Sequence, residues 1–155
     1  MSEFSISVEW NRDTLNFNYQ NYTRTHTIRF GSNGMIFGSA APEFHGDSQY
    51  IDPEQAFITS LSSCHLLTFL AIASNKGYVI DKYTDKARGE MGKNKYGRMA
   101  MTMVLLRPVV VFNGDKYPSD EEFKMLHERA HNGCIIANSI KGCVDLVIEP
   151  VMQHE

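Results

Sequence analysis

Between Gln55 and Asn75 the chain runs for 21 residues without a single Lys, Arg, Asp or Glu. Asp52 offers an N-cap, Pro53 suits the first helical position, Gln55 completes a capping-box spacing and Gly77 supplies the stop. The segment reads as one long helix, and its lack of charge limits what can surround it. A transmembrane span is the first reading to weigh. Against it, Thr59, Ser60, Ser62, Ser63, Cys64 and His65 make the first half polar, and no basic cluster flanks the helix. No membrane partner is expected. The second half, Leu66 to Ala73, is apolar on nearly every side, so it must be covered on every side. One small sheet cannot do that alone, which makes a second subunit a natural cover.

The remaining elements follow from alternation and turn chemistry. Ser5 to Trp10 alternates, Asn11-Arg12-Asp13 turns and Leu15 to Tyr19 answers as a strand. Thr25 to Phe30 and Met35 to Phe37 flank a Gly31-Ser32-Asn33-Gly34 hairpin signal, and Ser39 to Tyr50 is a loop. Beyond the helix, Tyr83 to Met91 and Arg98 to Phe112 read as two long strands, with Pro108 marking a bend or an edge. Ser119 and Glu122 form a second capping box for a helix reaching about His131. Gly133 breaks it, Cys134 to Lys141 gives one or two further turns, and Val144 to Ile148 is a final strand before Pro150. The order predicts an α+β fold with an antiparallel sheet, in one domain spanning 1–155.

Composition excludes several functions. The 155 residues are 43% hydrophobic and 21% charged with a net charge of −3, the profile of a globular domain. No basic block of five residues occurs, so no nucleic-acid partner is expected. No G-x-S-x-G, P-loop or G-x-G-x-x-G is present, which removes support for serine hydrolase and nucleotide-dependent readings. The start, MSEFSISVEW, lacks a charged lead before an apolar run, and three cysteines do not make a disulfide scaffold. A cytoplasmic location is expected, where thiols more often serve redox or metal chemistry than stapling.

Cys64, Cys134 and Cys143 form no C-x-x-C, and a lone Cys in a helix is ordinarily a small buried hydrophobe. Two segments change that reading. Asp52-Pro53-Glu54-Gln55 followed by Leu61-Ser62-Ser63-Cys64-His65, and the later run Leu126 to Ser139 around Gly133-Cys134, resemble the central helix and the second-cysteine segment of the OsmC/Ohr family. These are the osmotically inducible and organic-hydroperoxide-resistance proteins. Leu106-Arg107-Pro108 fits as well, and Ser-Cys-His in place of Ala-Cys-Phe points to the OsmC-like branch. The resemblance implies antiparallel sheets around a long central helix in an intertwined two-fold homodimer. It also implies a thiol-dependent peroxidase without cofactor or metal, with Cys64 as peroxidatic and Cys134 as resolving cysteine, a small-molecule hydroperoxide as substrate, and an external dithiol, of lipoyl type among others, as reductant.

Such chemistry needs a thiolate. Cys64 sits mid-helix and gains little from the positive helix end, so a nearby cation is expected. In the resembled family this is an Arg held by the Glu of the Pro-Glu pair. Glu54 matches that Glu, and Arg24 is the first candidate for the Arg, with Arg12 and Arg29 as rivals. Glu54 and Cys64 stand ten residues apart, about 15 Å along a helix. Either an extended Arg bridges the gap or the Glu comes from the other subunit of a dimer with antiparallel central helices. Phe57, Phe69 and the methionines would favour an organic hydroperoxide. His65 points about 100° away from Cys64 and is expected to be packed or hydrogen-bonded.

Two other readings stay open. His127-Glu128-Arg129-Ala130-His131 satisfies H-E-x-x-H, so a zinc-dependent hydrolase is an alternative, although only Glu149 and His154 offer a late third ligand. A non-catalytic ligand-binding dimer with the same fold is the other.

Overall fold

The computed structural model describes residues 1–154. They fall into two compact units, Met1–Ala56 and a second beginning at Phe57. The first unit holds an antiparallel meander of β1 (Ile6–Glu9), β2 (His26–Phe30) and β3 (Gly34–Gly38). The expected β2–β3 hairpin is present, with Gly31 at φ +57° in its turn. Leu15 to Tyr19, expected as a strand, is irregular. Arg12 donates to the carbonyls of Thr14 and Leu15 at 2.8 and 2.7 Å, and Trp10 Nε1 donates to that of Thr23 at 2.8 Å. These bonds curl the segment so that Phe17 and Tyr22 pack against Trp10, and local polar bonding overrides the alternation. The apolar side chains of this sheet remain exposed, Ile6 at 65% and Val8 at 59%.

Helix α1 (Pro53–Asn75) starts in the first unit and runs through the second. Its capping box is as expected: Gln55 N–H donates to Asp52 Oδ1 at 2.7 Å, and Asp52 N–H donates to Gln55 Oε1 at 3.2 Å. Gly77 ends it at φ +79°, a conformation that costs a β-carbon dearly, while Tyr78 N–H closes on the Ala73 carbonyl at 3.1 Å. The helix is long and apolar enough to cross a membrane by length and composition. Within the fold, Leu61, His65, Phe69 and Ala73 form a fully buried stripe at four-residue spacing. Leu67, off that stripe, is 64% exposed.

The two long strands expected beyond α1 are each cut in two. Val79–Asp85 (β4) and Arg88–Lys93 (β5) replace the first, and Met99–Leu106 (β6) and Pro108–Asn113 (β7) replace the second. Two further strands follow, Asp145–Ile148 (β8) and Val151–His154 (β9), where one was expected. The sheet orders are β4-β7-β9 and β5-β6-β8. The α+β class holds, and two parallel pairings, β6 with β8 and β7 with β9, join otherwise antiparallel sheets.

Asp85 anchors the break between the sheets. Its Oδ1 accepts the Arg107 N–H at 2.7 Å and its Oδ2 accepts the Ser62 hydroxyl at 2.5 Å, tying the corner to α1. Pro108, without an N–H, opens β7 opposite Asp85.

Helix α2 (Asp120–Gly133) begins with the expected Ser119–Glu122 capping box, and α3 (Ile135–Ile140) follows with Cys134 between them. One core cluster gathers Phe69, Val110, Phe112, Phe123 and Leu126. A second gathers Leu61, Val104, Leu106, Cys134 and Ala137, with Cys64 packed against it. Replacing Asp85 by Ala leaves the Arg107 N–H and the Ser62 hydroxyl without their acceptor. Urea unfolding is expected to show a loss of about 2 kcal/mol.

Candidate functional site

The polar-then-apolar pattern of α1 brings Cys64, half-buried, to the edge of the second core cluster, and the chain reversal at Gly133 brings Cys134 there from α2. The reversal is tight. A β-carbon at Gly133 would stand 3.1 Å from the methyl of Thr68, so α2 ends almost on the turn of α1 that follows Cys64. Cys134 is then only 1% exposed, and as N-cap of α3 its Sγ accepts the Ala137 N–H at 3.4 Å. The two thiols, 70 positions apart in the chain, come close enough for each to shift the other's ionisation.

The surroundings treat the two sulfurs differently. Burial pushes the Cys64 thiol up, but the Cys134 thiol and the N–H groups of Ile136 and Ile135 outweigh it. The net effect holds Cys64 below the ordinary thiol value. Cys134 moves the other way, up to about 11, first through burial and then through Cys64. Of the two, Cys64 is the sulfur that gives up its proton more readily and Cys134 the one that keeps it.

Sequence reasoning expected only a cation to hold the Cys64 anion. Within the second unit none of the groups acting on Cys64 is a cation; the donors are N–H groups at the start of α3. Those donors left no signature in residue type, since any residue except proline supplies one.

Arg24 and Glu54 lie in the first unit. The Arg24 guanidinium donates to the carbonyls of Tyr19 and Tyr22 and stacks over both rings, 4.8 and 3.9 Å from their centroids. Glu54 stands half-buried in the first turn of α1. Arg12 is engaged by the Thr14 and Leu15 carbonyls, and Arg29 lies on β2, opposite Met35. Phe57 shares the cluster of Cys64, whereas Phe69 belongs to the other core. Cys143 is exposed beside the turn into β8.

His65 is packed and hydrogen-bonded as expected. Its Nε2 and the Nδ1 of His127 share a hydrogen bond of 2.9 Å, and the rings stack at 5.2 Å. His127 is also stacked on Phe69, centroids 4.3 Å apart, and is 4% exposed, while Glu128 points outward and is exposed. The H-E-x-x-H pattern is accounted for by helix packing, and no group of three or more metal-ligating side chains occurs among the described residues.

Comparisons with known proteins fit this architecture. The OsmC-like family profile matches residues 45–149. The structure is similar to that of an OsmC-like protein of unknown function from Vibrio cholerae, with 40% identity, 97% of this chain and 100% of that one covered, and a TM-score of 0.92. It shares its fold with an organic hydroperoxide resistance protein from Elizabethkingia anophelis at 15% identity, 99% and 98% coverage and a TM-score of 0.74. In sequence it is 23% identical over 122 residues to the uncharacterized protein YmaD of Bacillus subtilis, 76% of this chain and 79% of that one. The chain belongs to the OsmC-like family.

Burial holds His65 near pKa 4, with His131 lowering it further and Asp85 partly offsetting, and burial followed by His65 holds His127 near 3. Unfolded histidines titrate near 6.5, so as pH falls below that value the unfolded chain takes up protons that the folded chain refuses. Stability is expected to be full above about pH 6.5 and to decline toward pH 4. Melting temperatures at pH 7.5 and 5.0 check this, and His127→Leu should flatten the decline.

Proposed function

We propose that this protein is a cysteine-based peroxidase that reduces hydroperoxides, with Cys64 as nucleophile and Cys134 as resolving thiol. The observation that carries the reading is the meeting of the two cysteines at one core cluster, with Cys64 held low by Cys134 and by N–H donors and Cys134 held high by burial. Membership of a family whose fold is shared with proteins named for organic hydroperoxide resistance supports it.

In the proposed cycle the Cys64 thiolate attacks the terminal peroxide oxygen. An S–O bond forms, the O–O bond breaks, and the departing alkoxide takes a proton and leaves as alcohol. The Cys134 sulfur then attacks the sulfenic acid; the S–S bond forms, the S–O bond breaks and water leaves. An external dithiol, oxidised in turn, returns both thiols by exchange. Apolar Phe57, Ile58 and Ile136 in the same cluster favour an organic peroxide. Arg24 and Glu54 are assigned to cradle the oxygen that departs, as in the resembled family.

The protein works as a two-fold dimer in this reading. The exposed apolar faces of β1 and of α1 at Leu67 support that assignment, because single chains rarely leave such surfaces wet. Light scattering should give twice the 17.6 kDa chain mass.

Mass spectrometry after one equivalent of cumene hydroperoxide should show Cys64 linked to Cys134. Cys64→Ser should abolish peroxide consumption, and Cys134→Ser should leave a sulfenic acid that dimedone traps. A Cys64→Ser protein that still turns over with dithiol refutes the cycle. Arg24→Met should slow the first step by about 100-fold, the scale of removing one charge-stabilising donor.

A further inference from the structure

The buried histidine pair has no part in the cycle above, and its position relative to the thiols gives it one. His65 is the neighbour of Cys64 on α1, and His127 lies seven residues before Cys134 on α2, about 10 Å along the axis. Their hydrogen bond therefore ties the two helices beside the residues that deliver the two sulfurs.

The pair is a poor choice for stability alone. Whichever ring donates across the shared bond, one neutral histidine is left with an N–H and the other with a lone pair. Neither His65 Nδ1 nor His127 Nε2 finds a partner among the described residues. Each such buried group has given up its hydration without a replacement bond. Two aliphatic side chains packed among Phe69 and Phe123 would avoid that loss. What they would lack is a bond of defined length and direction, which fixes helix against helix where apolar contact would tolerate sliding.

We propose that the His65–His127 hydrogen bond is a positioning clamp that sets how closely the end of α2, and with it Cys134, stands to Cys64, and so controls how fast the two sulfurs join. Its role in turnover rests on the peroxidase reading; its effect on sulfur spacing does not. The clamp and the close approach of Gly133 to Thr68 are two fixed points on the same pair of helices, at the first and the fourth residue after Cys64 along α1. Releasing the first leaves α2 free to pivot about the second.

Diamide tests the spacing without peroxide. It takes two electrons and two protons from a thiol pair and leaves the disulfide, itself becoming the hydrazine. His65→Leu, which fills the site without a bond, should slow Cys64–Cys134 linking by about tenfold. His65→Gln, whose terminal amide can reach the His127 ring, should stay within about twofold of wild type. With cumene hydroperoxide, loss of the Cys64 thiol should keep its wild-type rate in His65→Leu while dimedone-trapped sulfenic acid accumulates. A general loss of structure would move both steps and would not be rescued by Gln. Should the leucine variant fail to fold, His65→Asn, whose amide falls short of the ring, takes its place with the same expectation. Linking by diamide at the wild-type rate in the variant overturns the clamp, as does a wild-type protein that diamide does not link. Wild-type linking by diamide together with inertness to peroxide refutes the peroxidase reading and leaves the clamp standing.

Discussion

A thiol in an apolar cluster keeps its proton unless something compensates for the loss of water, and the site is built around that requirement. Cys64 stands in the middle of a helix whose one charged residue is Glu54 in the first turn, and there its own backbone offers no free donors. The compensation comes from another helix: the unpaired N–H groups at the start of α3 meet the sulfur from outside. That geometry exists only because α2 ends abruptly, because Gly133 has no side chain to hold α1 away, and because Cys134 serves at once as cap and as neighbour. The same features that shield the second sulfur ease the loss of the proton from the first.

Much of the scaffold was legible in the chain. Both capping boxes, the Gly77 stop and the β2–β3 hairpin follow from side chains that bond within three or four residues, so local sequence is sufficient. Leu15 to Tyr19 was misread because its alternation competes with an arginine and a tryptophan that bond nearby carbonyls instead. The division of the long strands was hidden for a different reason. Lys86 and Arg107 look like ordinary strand residues, and the break is imposed by Asp85 reaching a backbone N–H 22 positions away.

The candidate site was legible in part. The two cysteines and their segments carried a pattern that family resemblance could read. The proton balance between them could not be read, because it depends on which backbone donors lie nearby and how deeply each sulfur is set. His65 and His127 were each visible as helix residues, and His127 drew attention for a motif it does not serve. Their pairing is a long-range contact across 62 positions that no local spacing announces.

The last strands have a consequence for how the chain comes together. β8 and β9 are separated by Glu149-Pro150, and the Glu149 N–H reaches the Leu106 carbonyl just where β6 gives way to β7. One continuous tail thus seals the open flank of the β5–β6 pair and then of the β4–β7 pair. A nascent polypeptide that has emerged only as far as α3 holds two unfinished ribbons with bare edges. Because pairing so remote in the chain is slow to form, that interval is when the molecule is most exposed to unwanted strand partners.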